Sequence, residues 1–246
     1  MAEEQATSFG AQAGNYEAGR PEYPFDAVAW MLEAMPEGSR RIADVGAGTG
    51  KLTRALTAAP GAEIVAIDPD PAMLGMLRGS VPGVPTFVGT AERLPLPDAS
   101  VDAVVLGQAW HWVEPLAAST EIGRVVRSGG VLGLIWNIRD ERQEWVRRLT
   151  AIMHGSAAEE MLAAGDPVVS APFGLLEQDS WEWVRPINRA QLHSMASSRS
   201  HVITSSETER ARIRRDMDAL FDELGLDDDG TIDLPYVTRA FRSIRD

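Results

Sequence analysis

A glycine-rich turn between a short apolar segment and a helix constrains the fold of this chain more than any other feature. Residues 41–45 have the composition of a β-strand and end at residues 46–50, three of which are Gly, after which Leu52 and Leu56 recur at helical spacing. A second β-type segment over residues 63–68 ends on an acid. Strand, glycine turn, helix and strand make a βαβ unit, so we expect the two strands to be parallel neighbours in an open sheet.

The rest of the chain extends this pattern. Three more β-type segments, over residues 86–90, 101–106 and 131–136, alternate with helical stretches. Helices then dominate, with two further strands predicted near residues 181–185 and 231–238. We therefore predict an α/β fold with a doubly wound, mostly parallel, seven-stranded Rossmann-like sheet, to which the last strands return after a late helical insertion.

We expect residues 1–246 to form one domain with three parts. Residues 1–25 are a polar, Gly-rich arm, residues 26–140 the ligand-binding core, and residues 141–246 the helical insertion with its closing strands. In an open α/β sheet the ligand binds at the carboxyl ends of the strands, where a glycine turn lets the backbone approach it closely.

Composition excludes several classes of function. The chain has no Cys, which excludes disulfides, thiolate metal sites and a Cys nucleophile. Its 23 Lys and Arg against 36 Asp and Glu give a net charge of −13, which argues against nucleic acid as a partner. Because we find no apolar run of about 18 residues and no targeting segment, we expect a cytoplasmic protein that binds a small molecule and no membrane. The four His residues show no metal-ligand spacing, and the oligomeric state stays open.

The glycine turn limits which nucleotide-like ligands fit. A Walker A loop is excluded, because Val45 stands where its first Gly belongs and Leu52 where its hydroxyl residue belongs. A dinucleotide fingerprint is weakened, because Lys51 replaces its third Gly. Asp68, at the end of the second strand, suits the ribose hydroxyls of any adenosine ligand.

Four ordered motifs resemble those of class I S-adenosylmethionine-dependent methyltransferases. They are residues 43–50, residues 68–74, residues 89–98 and the turn at residues 127–130. The chain is similar in particular to the methyltransferase type 11 branch and, within it, to trans-aconitate methyltransferase-like proteins, through residues 16–24, 108–112 and 234–239. The resemblance implies an enzyme that uses S-adenosylmethionine and releases S-adenosylhomocysteine.

The resemblance also implies which residues bind the cofactor. Asp44 would reach its ammonium group, Asp68 its ribose, and Pro69 with Met73 one face of its adenine. Met73 fits a core position equally well, and Glu92 fits a solvated surface. The full implied set is Asp44, Gly46, Ala47, Gly48, Gly50, Asp68, Pro69, Met73, Thr90, Ala91, Glu92, Gln108 and Ala109, with Tyr16 and Arg20 from an arm that acts as a lid.

The acceptor side is predicted just beyond the fourth strand. His111 is the candidate catalytic residue, and we expect its imidazole to titrate near neutrality and act as a base or as a contact to the acceptor. The candidates for acceptor binding are Trp110, Trp112, Tyr23, Trp136, Arg199 and Tyr236. Packing aromatics, a hydrogen-bonded His spacer and surface charge are the structural alternatives.

The resulting functional hypothesis is methyl transfer from S-adenosylmethionine to a small molecule that carries a carboxylate or a hydroxyl. A carboxylate needs no base, whereas a hydroxyl does. Two alternatives stay open from the sequence. One is a non-catalytic module that binds S-adenosylmethionine, and the other is an NAD-linked oxidoreductase.

Overall fold

The computed structural model describes residues 20–197, 199, 202–203 and 205–246. Strands β1 to β7 span Arg41–Val45, Glu63–Asp68, Thr86–Val88, Val101–Gly107, Val126–Arg139, Glu177–Ile187 and Ile232–Ile244. Helices α1 to α8 span Phe25–Glu33, Lys51–Leu56, Pro71–Ser80, Pro115–Val125, Glu144–Met153, Ala157–Ala164, Arg189–Ser197 and Glu207–Glu223, and a 3₁₀ turn covers Trp110–Trp112.

Within the described part of the chain the strands form one seven-stranded sheet in the order β3-β2-β1-β4-β5-β7-β6. The first five strands are parallel to one another, whereas β7 runs antiparallel to both β5 and β6. The predicted fold class is therefore confirmed. The described helices include none that is long and apolar enough to cross a membrane.

Strand β4 shows why the sheet has helices on both faces. Val104 and Leu106 belong to the core on one face, while Ala103 and Val105 belong to the core on the other. Successive side chains of a strand point to opposite faces, so a strand covered on both sides is apolar throughout. A third apolar cluster lies under helices α5, α7 and α8 of the late insertion.

The last three strands are longer than predicted. Strand β5 begins at Val126, because its pairing with β4 continues across a register shift at residues 127–130, which we had expected to be a turn. Strand β6 pairs with β7 over its whole length, from Glu177↔Arg242 to Ile187↔Ile232. Polar residues hid these extensions. Strand β6 is the edge strand of the sheet, whereas β7 lies between β5 and β6 and alternates buried with more exposed residues.

The carboxyl ends of the parallel strands place the predicted site residues at one edge of the sheet. Asp44, Asp68 and Gly107 lie at the ends of β1, β2 and β4. Antiparallel pairing sets Tyr236 beside Arg139 at the end of β5. The start of the last strand thus joins the same edge.

Candidate functional site

The glycine turn has backbone conformations that favour glycine, and it is tightly packed at one end. Gly46, Gly48 and Gly50 all have positive φ, which glycine adopts without strain. A Cβ on Gly46 would lie 2.7 Å from the Cβ of Ala109, whereas no atom lies within 4 Å of a Cβ on Gly48. The turn is therefore packed against the end of β4 on one side and open at Gly48.

A cleft opens at this turn. About 440 Å³ of space, part of it open to solvent, is enclosed by the turn, the ends of β4 and β5, the start of α2 and residues 20–23. Arg20, Pro21 and Tyr23 line it from the arm side. Of the predicted lid residues, Arg20 and Tyr23 thus lie at the cleft, and Tyr16 lies outside the described residues.

Asp44 is a buried carboxyl group with one oxygen unused. Its Oδ2 accepts a hydrogen bond of 2.5 Å from the Thr53 hydroxyl, while its Oδ1 has no hydrogen-bond partner among the described residues. Burial raises its pKa to about 7, and the neighbouring Asp68 adds to the rise. A buried carboxylate with one oxygen left without a partner is costly, so this position suits a ligand that brings a cationic donor.

Asp68 is tied to the glycine turn. Its Oδ2 accepts from the Gly48 backbone N–H and its Oδ1 from the Asp70 N–H, both at 2.8 Å. Burial nevertheless raises its pKa. Each carboxylate oxygen has capacity for a further donor, such as a hydroxyl group. Asp70 beside it, which the sequence analysis missed, also has a buried Oδ2 without a partner among the described residues.

The predicted adenine contacts differ in how much surface they offer. Met73 is only 4% exposed and packs in α3, which favours its core alternative. Pro69 is partly exposed and Thr90 is exposed, whereas Ala91 is buried and offers little surface to a ligand. Glu92 Oε1 accepts from the Glu114 N–H at 2.9 Å, so it is held by the start of α4 instead of being only solvated.

Gln108 has an unusual backbone at the end of β4. Its φ is +54°, which residues other than Gly seldom adopt and which often marks a functional constraint. Two hydrogen bonds hold it there, from its N–H to the Ile135 carbonyl at 2.9 Å and from its Nε2 to the Asn137 carbonyl at 2.8 Å. Gln108 lines the cleft, and Ala109 closes the turn at Gly46.

Asn137 connects three parts of the site and was missed by the sequence analysis. Its Nδ2 donates to the Glu22 carbonyl at 3.1 Å, and its Oδ1 accepts from the Thr238 hydroxyl at 2.7 Å. It therefore joins the arm to β7 while its own carbonyl holds Gln108. No local motif signals this role, because the partners come from distant parts of the chain.

The expectation that His111 titrates near neutrality is wrong. Burial, with the positive charge of Arg20, lowers its pKa to about 4. The ring packs on Trp112 with 4.8 Å between centroids, and Nδ1 lies 3.5 Å from the indole Nε1 of Trp136. His111 is therefore neutral at physiological pH, and its basicity is weak.

The three predicted Trp residues have different surroundings. Trp110 and Trp136 are at most 2% exposed, and Trp110 Nε1 donates to the Val168 carbonyl at 3.1 Å. Both fill the apolar core, as the packing alternative proposes. Trp112 is partly exposed beside His111, so it is the member of this group with surface to offer an acceptor.

A buried cluster of charges is formed by Glu159 and two arginines. Glu159 accepts from Arg139 through Oε1 and from Arg199 through Oε2, both at 2.7 Å. Burial alone would raise the pKa of Glu159, but the two guanidinium groups and Ser156 lower it to about 2. Burial lowers the pKa of Arg199 to about 10, with contributions from the positive charges of Arg139 and Arg20. Two buried cations thus share one carboxylate.

Tyr236 lies at the same cluster. It is 4% exposed, stacks on Trp183 with 4.9 Å between centroids, and donates its hydroxyl to Met195 Sδ at 3.6 Å. Burial raises the pKa of its phenol, so the group stays protonated. Arg139, which is the β5 partner of Tyr236 and an ion-pair partner of Glu159, connects Tyr236 to this cluster and is an addition that only the fold reveals.

The arm is fastened beside the cleft by charges. Glu22 Oε1 accepts from Lys51 at 2.9 Å and from Arg54 at 2.8 Å. Tyr23 covers the end of β4, since a Cβ on Gly107 would lie 2.7 Å from its hydroxyl oxygen.

In the described part of the chain, no group of three or more His, Cys, Asp or Glu side chains is arranged so that it could hold a metal ion.

Comparison with known proteins agrees with this arrangement. A family profile described as "Methyltransferase domain" matches residues 43–134. An uncharacterized methyltransferase of Mycobacterium tuberculosis is 42% identical over 98% of this chain and 96% of its own. A malonyl-[acyl-carrier protein] O-methyltransferase of Methylococcus capsulatus is 41% identical over 51% of this chain and 48% of its own. A solved type II methyltransferase structure from Anaeromyxobacter dehalogenans has the same fold, with a TM-score of 0.65, 23% identity, and coverage of 92% of this chain and 97% of that one.

Proposed function

This chain belongs to the class I S-adenosylmethionine-dependent methyltransferases, and we propose that its acceptor is a carboxylate oxygen of a small anionic molecule. The enzyme class and the cofactor follow from the family, and with them the product S-adenosylhomocysteine. The acceptor is inferred from the chemistry of His111 and of the buried arginine cluster at Glu159.

The residues at the glycine turn fit the cofactor. Gly48 leaves room for close approach, and Asp44 Oδ1 has no partner among the described residues. Asp44 would hold the ammonium group, and Asp68 the ribose hydroxyls. When bound, the cofactor would supply a methyl group attached to a positively charged sulfur. A nucleophile that attacks the methyl carbon displaces the sulfur, which leaves as S-adenosylhomocysteine.

The neutral state of His111 carries the acceptor assignment. A hydroxyl or an ammonium acceptor must lose a proton, which calls for a base with a pKa near the working pH. The pKa of His111 is about 4, and the phenol of Tyr236 stays protonated. A carboxylate has already lost its proton at neutral pH, so it can attack without help from either residue.

The arginines of this cluster suit an anion, and the charge of Arg20 acts on both His111 and Arg199. Arg139 and Arg199 are buried and share the single carboxylate of Glu159, and Arg20 adds positive charge from the cleft side. Guanidinium groups bind carboxylates by charge-assisted, directional hydrogen bonds. The protein as a whole has a net charge of −13. The local positive charge at the arginines would therefore attract an anion to this place and not to the surface in general.

Positioning and exclusion of water would then account for most of the rate. Tyr23 and Arg20 cover the cleft from the arm, and Gln108 with Asn137 fixes the end of β4. The relative in Methylococcus capsulatus, which aligns with half of this chain, is named for an O-methyl transfer, in agreement with an oxygen acceptor.

The test is methyl transfer from labelled S-adenosylmethionine to a panel of small carboxylic acids, each matched with its primary amide and its alcohol. We expect label in the acids alone, and release of that label as methanol in mild base. Asp68→Asn protein is the control for cofactor-dependent transfer. Label in the alcohols or amides, or none in any acid, would contradict the proposal.

A further inference from the structure

The contact between Trp136 and His111 determines where the imidazole carries its proton. An indole N–H only donates, so His111 Nδ1, 3.5 Å from Trp136 Nε1, is the acceptor of this hydrogen bond. A neutral imidazole has one donor and one acceptor nitrogen. With Nδ1 accepting, the hydrogen of the neutral ring lies on Nε2.

Trp136 is well suited to enforce this choice. Its side chain is fully buried in β5 and packs edge-to-face on Phe241, with 5.8 Å between ring centroids. A buried indole between strand and helix layers has little freedom to turn its N–H elsewhere. His111 also packs on Trp112, which limits rotation of the imidazole.

We propose that Trp136 is a positioning residue that holds His111 in the Nε2–H tautomer, so that His111 offers the acceptor a hydrogen-bond donor and not a base. The ring's basic lone pair, on Nδ1, is occupied by the indole. The remaining polar atom, Nε2, is a donor that suits a carboxylate oxygen. This donor role rests on the proposed function, whereas the tautomer does not.

The experiment observes the tautomer directly. Protein labelled with ¹⁵N in its histidine rings is studied by long-range ¹H–¹⁵N NMR, in which the two tautomers and the imidazolium give different patterns. His111→Gln protein identifies the His111 signals among those of the four His residues. Trp136→Phe keeps an aromatic ring and removes the N–H. Trp110→Phe is the matched control, since it removes an equally buried indole donor whose partner is the Val168 carbonyl.

We expect neutral His111 in the Nε2–H form at pH 7 in wild type and in Trp110→Phe, and a mixture of tautomers in Trp136→Phe. A wild-type ring that is Nδ1–H or imidazolium at pH 7 would overturn the proposal, and this result does not depend on whether Trp136→Phe folds. An unchanged tautomer in folded Trp136→Phe would overturn the role of Trp136. If the tautomer is as expected but no carboxylic acid is methylated, the proposed function and the donor role fail while the tautomer assignment stands.

Discussion

At the scale of single residues, the buried carboxyl of Asp44 links cofactor binding to pH. Its pKa of about 7 means that a large part of the cofactor-free protein holds a proton there at neutrality. An ammonium group pairs with the ionised carboxylate, so binding must release this proton whenever the pH is below the raised pKa. Thr53 is the one side chain that favours the ionised form, and Asp68 opposes it.

We therefore expect the affinity for S-adenosylhomocysteine to weaken as the pH falls from 7.5 to 5.5, by up to roughly tenfold per pH unit below the raised pKa. Isothermal titration calorimetry in buffers of different ionisation enthalpy measures both the affinity and the protons released. Asp44→Asn is the control, because it cannot titrate and should bind weakly with little pH dependence. Equal wild-type affinities at pH 5.5 and 7.5 would contradict the assignment of Asp44.

Substitutions of His111 can distinguish a role as hydrogen-bond donor from a role as general base. The side-chain amide nitrogen of Gln reaches about as far as Nε2, and that of Asn about as far as Nδ1, while neither amide is a base. A donor role through Nε2 predicts that His111→Gln keeps methylation within about tenfold of wild type and that His111→Asn loses more. Steady-state rates with a saturating acceptor measure this. A loss of about 10²–10⁴-fold in both variants would indicate a general base instead.

At the scale of elements, the arm and the last strand meet at the cleft through one polar chain. Trp183 Nε1 donates to the Thr238 hydroxyl at 2.8 Å, which donates to Asn137, whose Nδ2 donates to the Glu22 carbonyl. The Glu22 side chain adds two ion pairs with helix α2. The arm segment next to the cleft is thus held by both the sheet and a helix.

Loosening this fastening should speed the release of cofactor product. Glu22→Gln removes both ion pairs and keeps the backbone contact with Asn137, and exposed pairs of this kind contribute about 0.2–1 kcal/mol each. We expect the dissociation rate of S-adenosylhomocysteine, measured by stopped-flow, to rise roughly two- to tenfold. Glu63→Gln is the matched control, because its pair with Arg41 at 3.2 Å lies at the opposite edge of the sheet. Equal dissociation rates in Glu22→Gln and Glu63→Gln would contradict the idea that the arm slows the release of S-adenosylhomocysteine.

The elements that the sequence predicts well are those defined by their own residues. The β1 to β4 strands and the glycine turn follow from local apolar runs and glycine spacing. Asp44 and Gly48 were proposed from that turn, and Asp68 from the acid that ends the second strand. Arg139, Asn137 and Thr238 could not be predicted, since antiparallel pairing of β5 with β7 brings them together. The depressed pKa of His111 was equally hidden, because burial and Arg20 cause it.

At the scale of the whole molecule, a ligand at the sheet edge stabilises the layers that meet there. The cleft joins the glycine turn, the ends of the two central strands, helix α2 and the arm, so a bound cofactor would contact all of these elements. Unfolding must then also release the ligand, which adds to the free energy of unfolding. This linkage distinguishes S-adenosylhomocysteine from NAD by the melting shift that each one causes.

S-adenosylhomocysteine at 100 times its dissociation constant should add about 2.7 kcal/mol and raise the melting temperature by about 5–10 °C. NAD at the same concentration should cause no shift, because the chain belongs to the methyltransferases and Lys51 replaces the third Gly of a dinucleotide site. Differential scanning calorimetry measures both shifts. A larger shift with NAD would contradict this account of the cleft.

The most direct test of methyl transfer to a carboxylate is to identify the atom that receives the methyl group. S-adenosylmethionine with a ¹³C-labelled methyl is incubated with the enzyme and a small-molecule extract, and the products are analysed by ¹³C NMR before and after mild base. We predict a methyl ester signal that mild base converts to methanol. A base-stable ether, N-methyl or C-methyl product as the main species would contradict it.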